Sequence, residues 1–248
     1  VNWGMNDGRR RGGVEYYQRG IVPYVDRLLE SNVRVVLCSN SPLDIGDEPG
    51  KFTNHNAGFH EMARFAEDLA RRRGLPFVDQ FHFCHTLWGE NRKREKPVPV
   101  SDQTLAKHAS DPVHARAPGQ LTMAYIILKT LRAPAEVSHA SLDAKTGAAR
   151  TRCCRISDFA DRERMIAFVR ADEASPCWID DLGAPAFDLV PFQNELNRMT
   201  LQVAGLPPGV YELRIEGQAC GRFTADALAR GINLSEDRKS PVHGPGRK

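Results

Sequence analysis

What the chain lacks closes several classes of function. No run of about 18 apolar residues occurs, so the sequence holds no candidate membrane-spanning helix. Its six cysteines (Cys38, Cys84, Cys153, Cys154, Cys177 and Cys220) contain no C-x-x-C pair, and nothing in their spacing indicates a disulfide framework, although one is compatible with the count. Cys38, in an apolar stretch, reads as a buried small hydrophobe. No internal repeat is found. No G-x-S-x-G is present, which excludes the nucleophile elbow of the α/β-hydrolases. No Gly-Asp-Ser is present either, and the chain opens at Val1 without an initiator Met. The basic clusters Arg9-Arg10-Arg11, Arg71-Arg72-Arg73 and Arg92-Lys93-Arg94 have no interleaved aromatics of the kind that stack on bases. With a net charge of only +3, they read as solvated surface, and nucleic acid is not an expected partner.

What is present suffices for a folded core: 41% of the 248 residues are hydrophobic, an ordinary share for a globular chain. Val1–Trp3 reads as the end of a strand that runs into a Gly-rich loop. Val14, Tyr17, Ile21, Val25 and Leu28 recur at helical spacing, with Pro23 expected to kink or split the helix. Val33–Cys38 is β-branched and nearly all apolar, as a strand buried on both faces of a parallel sheet reads. Ser39–Asn54 is rich in Ser, Pro, Gly and Asp and reads as a long loop. A second helix starts near Asn56, puts Phe59, Met62, Ala63, Ala66 and Leu69 inward, and ends at Gly74. Leu75–Asp79 is a short strand, followed by a predicted loop of about thirty residues, longer than most connections. A third helix opens at Pro118 and points Leu121, Tyr125, Leu128 and Leu131 inward.

Strands alternating with helices imply an α/β layered domain with a parallel sheet over residues 1–134. The pattern changes at Ala133-Pro134. Residues 135–234 read as a β-rich appendage: Ala148–Ile156, Met165–Val169, Met199–Val203 and Val210–Ile215 are β-like, and a short helix spans Ala225–Arg230. Residues 235–248, polar with Pro and Gly, read as a disordered tail.

Two islands carry chemistry. Gly4-Met5-Asn6-Asp7 follows the first strand; Asp111-Pro112-Val113-His114 precedes the third helix. The three-residue spacing lets the Asp111 carboxylate accept a hydrogen bond from Nδ1 of His114, which leaves Nε2 to take a proton from a serine hydroxyl. Asn6 can aim an amide N–H at a developing oxyanion, and Gly4 permits a tight backbone there. Asp7 either supports the loop or caps it. Both islands belong at the carboxyl edge of the sheet, where ligands bind in open α/β folds.

With these motifs the chain resembles the SGNH, or GDSL-type, esterase and lipase family. Gly4–Asp7 is similar to that family's third block and Asp111–His114 to its fifth. His55-Asn56-Ala57, Gly74–Asp79 and Pro118-Gly119-Gln120 resemble further family segments, so the resemblance covers roughly residues 1–132. Leu206–Leu213 and Gly231–Leu234 resemble, more loosely, the C-terminal region of planctomycete-type members. The resemblance implies a flavodoxin-like three-layer fold with sheet order 2-1-3-4-5, in which Val1–Trp3, Val33–Cys38 and Leu75–Asp79 are strands 3, 4 and 5. It implies an Asp111–His114 pair serving a serine, with Asn6 as an oxyanion donor. It also implies that the serine and glycine blocks lie upstream of Val1, so these residues alone are expected to be inactive.

Other residues compete for roles. His82-Phe83-Cys84-His85 offers metal-ligand types, or an ordinary loop. Trp3, Trp88 and Trp178 could form a sugar platform, although buried packing is the default for Trp. Ser39 and Ser41 follow a strand but sit in no nucleophile motif. The expected activity is serine ester hydrolysis of O-acyl esters, acetylated carbohydrate among them, with a small-molecule or carbohydrate ester as partner. No cofactor and no metal is expected. The rival reading is a non-catalytic carbohydrate-binding module on the same scaffold.

Overall fold

The computed structural model describes residues 1–102, 112–162, 165–236 and 241–243. They divide into two units: residues 1–133 with 180–190, and 134–179 with 191–248. The segment 180–190, which the sequence placed in the β-rich appendage, groups with the first unit. Of the tail expected to be disordered, 237–240 and 244–248 lie outside the described residues.

The first unit is built of helices and a small parallel sheet. Helix α1 (Gly13–Glu30) buries Tyr17, Ile21 and Val25 at four-residue intervals, and Pro23 lies inside it without splitting it. Strand β1 (Leu37–Cys38) pairs in parallel with β2 (Phe77–Val78). The N–H groups of Leu37 and Ser39 bond Pro76 and Val78, both at 3.0 Å, while the intervening Cys38 N–H turns the other way and bonds Val1 at 2.8 Å. Asn2 bridges Cys38 in the same parallel sense. The ladder is shorter than the predicted Val33–Cys38: only Leu37 and Cys38 pair with β2. Val33 is exposed.

Helix α2 (Asn54–Arg73) buries Phe59, Met62, Ala63, Ala66 and Leu69, the face read from the sequence, and ends at Gly74 with φ 65°. The expected thirty-residue loop is not a loop throughout: α3 (Gln80–Arg92) fills its first part. Asp79 caps it by accepting from the His82 N–H at 3.2 Å. This helix escapes a hydrophobic pattern search because its buried residues are Gln80, Phe81, Cys84, His85, Trp88, Gly89 and Asn91, more than half of them polar or small. Helix α4 (Ala117–Thr130) carries Pro118 in its first turn, but its buried face is Pro118, Gly119, Thr122 and Tyr125, and Leu131 is exposed. The helix turns this face to α3. Trp88 donates to the Thr122 hydroxyl at 3.1 Å, and Phe83 stacks on Tyr125.

The second unit is β-rich. Strand β3 (Glu136–Asp143) lies between β4 (Ala149–Arg152), antiparallel, and β7 (Arg198–Ala204), parallel; β10 (Ile232–Asn233) closes the sheet beside β7. Hairpins β5–β6 (Cys154–Arg162, Met165–Asp172) and β8–β9 (Val210–Ile215, Gln218–Thr224) complete it. Alternation sets the core: Ser138, Ala140 and Leu142 of β3 and Met199, Leu201 and Val203 of β7 are buried, while their neighbours face out. Cys153, with φ 54°, breaks the chain between β4 and β5, and all six cysteines are free. No helix among the described residues is long and apolar enough to cross a membrane.

In the first unit, Ser39–Asp44 is buried although it has no regular structure. Buried irregular backbone must find hydrogen-bond partners. Asn56, fully buried, supplies them: its carbonyl accepts from the Leu43 N–H at 2.8 Å, and its amide donates to Leu43 O and to Asp47, both at 2.9 Å. Replacing Asn56 by Ala strips both backbone groups of Leu43. Denaturant unfolding of Asn56→Ala should show a loss of about 3 kcal/mol. A loss below about 0.5 kcal/mol, the scale of an ordinary surface substitution, would contradict this role.

Candidate active site

The parallel ladder puts three chain exits on one sheet edge: Gly4 after the first segment, Ser39 after β1 and Asp79 after β2. The first exit is a tight turn. Gly8 N–H bonds Gly4 O at 2.9 Å, and Arg10 N–H bonds Asp7 O at 2.9 Å. Gly4 has φ +111°, and a Cβ there would collide with Met62 and Tyr17; one at Gly8 would collide with Phe59. The turn therefore sits directly on the core and holds Asn6 outward, exposed, with Asp7 half-buried. Tyr17 beneath it is buried; burial, and then the Asp7 charge, pushes its phenol up to about 12.

The second island is tied to the loop that follows β1. Asp111 lies outside the described residues. Pro112–His114 form a bend, Val113 packs on the same core cluster as Met5, and His114 is exposed. The bend is held from the loop that leaves β1: the Asp44 N–H bonds Pro112 O at 3.0 Å. The Asp44 carboxylate is itself buried. It accepts from Arg92 Nε at 2.7 Å and from the Ser101 hydroxyl at 2.5 Å, while Arg92 Nη2 donates to the Asp44 carbonyl at 2.8 Å. Ala115 then bridges Ser101, and the Arg116 N–H bonds Val100 O at 2.8 Å. Asp44, Arg92 and Ser101 thus fix the segment that carries His114. None of the three has a local sequence signal.

Other sequence candidates resolve differently. The Ser39 hydroxyl is buried and accepts from the Phe81 N–H at 2.8 Å, a structural role at the start of α3. Ser41 is buried. Trp88 is core, whereas Trp3 is exposed and stacks on Tyr24 with centroids 4.1 Å apart; Trp178 is exposed. Among the described residues no group of three His, Cys, Asp or Glu side chains is arranged to hold a metal. Burial pushes the Cys84 thiol well up.

His82 instead joins a chain of hydrogen bonds. Its Nδ1 lies 2.8 Å from both Asp79 carboxylate oxygens, and its Nε2 lies 2.7 Å from His60 Nδ1. Phe52 stacks on His60, with His85 tilted against the same ring. Burial, with the neighbouring His82 and Arg64 charges, pulls His60 below its usual value. Burial pulls His85 down as well, against the opposing pull of Asp47. At the same edge two buried amides that the sequence did not single out hold atoms without a partner among the described residues: Nδ2 of Asn40, after β1, and both polar atoms of Gln80, after β2.

No family model matches the chain, and no curated protein matches it. Its fold matches that of BT4096, a gut microbial diltiazem-metabolizing enzyme, with TM-score 0.75 and 25% sequence identity over 98% of this chain. The chain spans 59% of that enzyme's length. The mixed α/β fold of this chain is thus shared with part of an enzyme.

Two outcomes follow from the site's electrostatics. Asp44→Ala leaves Arg92 without its buried partner and should cost about 3 kcal/mol in chemical unfolding. Protease cleavage near Pro112–Arg116 should rise with it; unchanged cleavage there would show that Asp44 does not hold this segment. The second outcome concerns pH. His60 and His85 have folded-state values lowered from 6.5. Below that pH the unfolded chain takes up protons that the native state refuses, so stability falls as pH drops through about 6.5. The lowered carboxyls of Asp47 and Asp79 act in a separate window, below their ordinary 3.8. Melting temperatures from pH 8 to pH 5.5 should fall for the wild type and fall less for His85→Gln. An equal slope in both proteins would contradict the assignment.

Proposed function

We propose that the chain is part of a serine ester hydrolase of the SGNH type acting on O-acyl esters, with acyl groups on carbohydrate among its substrates. The observations that support this reading are the tight Gly4–Asp7 turn directly after a parallel strand and the bond from the Asp44 N–H to Pro112 O, which ties the bend bearing His114 to the loop that leaves β1. The likeness to a drug-metabolizing enzyme supports enzymatic function.

In this reading His114 is the base and Asp111 orients it through Nδ1. His114 Nε2 removes the proton from a serine hydroxyl, whose oxygen adds to the ester carbonyl. Asn6 donates an N–H to the resulting oxyanion. Collapse breaks the bond to the alcohol, which leaves with the proton held by His114. Water, deprotonated by the same imidazole, then releases the acid from the acyl-serine. The 248 residues contain no Gly-Asp-Ser, so the mechanism takes its serine from outside them. Gly4, with its positive φ, and Asp7, within the turn, set the position of Asn6.

The test is made on the complete reading frame with an acetyl ester substrate. His114→Ala should lower kcat by about four orders of magnitude or more, and Asp111→Asn by a similar or smaller factor. Asn6→Ala should lower it by about 10²–10³. Wild-type kinetics in a correctly folded His114→Ala protein would exclude the mechanism.

A further inference from the structure

The second unit contains a cavity of about 730 Å³, within the size range of small-ligand sites. Its floor is the parallel pair β3–β7, where Glu136 faces Arg198 and His139 faces Thr200 across the strands. Alternation puts Arg198, Thr200 and Gln202 on the face opposite the buried Met199, Leu201 and Val203. Apolar side chains of Leu213, Phe223 and Ile232 line another part of the wall.

The polar groups of this lining are unequally matched. Glu136, the natural partner of Arg198 across the strands, is taken by Arg152, whose Nε donates to it at 2.6 Å. Arg198 is left with a buried Nε that has no hydrogen-bond partner among the described residues. A buried guanidinium donor without an acceptor is costly and uncommon. Arg230, a second guanidinium, lines the same cavity, and the His139 ring is oriented by a 2.7 Å contact between Nδ1 and the Thr200 hydroxyl. Glu236 adds one carboxylate. With Glu136 neutralised by Arg152, cationic groups exceed anionic ones.

We infer that this cavity is a binding site for a carboxylate-bearing saccharide of one or two rings. The planar fork of Arg198 matches a carboxylate, and the buried Nε supplies one of its two parallel bonds. The Thr200 hydroxyl, already in contact with His139, and Gln202, whose Nε2 donates to Ala229 O at 2.6 Å, keep an oxygen acceptor each for sugar hydroxyls, and Phe223 and Leu213 offer an apolar surface to the C–H face of a pyranose ring. The inference concerns the second unit alone and does not depend on the esterase reading.

The probe is glucuronic acid, titrated calorimetrically or by NMR against the whole chain, with glucose and acetate as controls. Glucuronate should bind with a Kd of about 1 mM or tighter, and glucose and acetate at least about tenfold more weakly. Arg198→Gln should weaken glucuronate binding about tenfold or more while leaving the melting temperature close to wild type. If Arg198→Gln does not fold, Arg230→Gln is the second variant and should weaken glucuronate binding measurably. No glucuronate binding to folded protein at about 10 mM would overturn the inference. Equal binding of glucose would remove the role of the guanidinium, and equal binding of acetate would remove the saccharide; either result overturns it as well.

Discussion

The α/β unit depends on a buried carboxylate. Asp44 takes hydrogen bonds from Arg92 and Ser101, and its own N–H holds Pro112. Four segments that are far apart in the chain meet there: the loop after β1, the end of α3, the stretch that carries Ser101, and the bend that carries His114. A buried ion pair adds little net stability, because desolvation of the two charges offsets their attraction. Its use here is registration. A hydrophobic contact between these loops would tolerate sliding, whereas a carboxylate with directed partners does not. Asn56 performs the same service for the first half of that loop, through both backbone groups of Leu43.

Periodicity made part of this fold legible. Helices α1 and α2 have apolar stripes that match their buried faces, and the glycine that ends α2 is in the left-handed conformation a C-cap requires. Helix α3 was hidden because its inward face uses Gln80, His85 and Asn91 among its apolar residues. The parallel pairing of β3 with β7 was hidden for a different reason. Parallel neighbours need long crossovers, so nothing local joins residue 136 to residue 198.

The same split holds for the candidate site. Gly4–Asp7 stands out in the sequence as a short motif, and the structure adds a reason for its glycine: a Cβ there would strike Met62 and Tyr17. His114 could be read from a short motif. Asp44 and Arg92 could not: each is an ordinary charged residue until a separation of 48 positions closes into a 2.7 Å contact. The unpartnered amides of Asn40 and Gln80 were equally invisible, since burial alone makes them unusual. In the β-rich unit Arg198 is of the same kind. It stands out only because Arg152 has taken the carboxylate opposite it.

The central claim is that the sheet edge bearing Asn6 and His114 works on an ester through a serine. The most direct measurement is a crystal structure of the complete protein after reaction with a fluorophosphonate. The account predicts a single phosphonylated serine. Its phosphoryl oxygen should lie within about 3.2 Å of the Asn6 amide nitrogen, and His114 Nε2 should be within about the same distance of the serine oxygen. A labelled serine remote from both residues, or no labelled serine in an active protein, would contradict it.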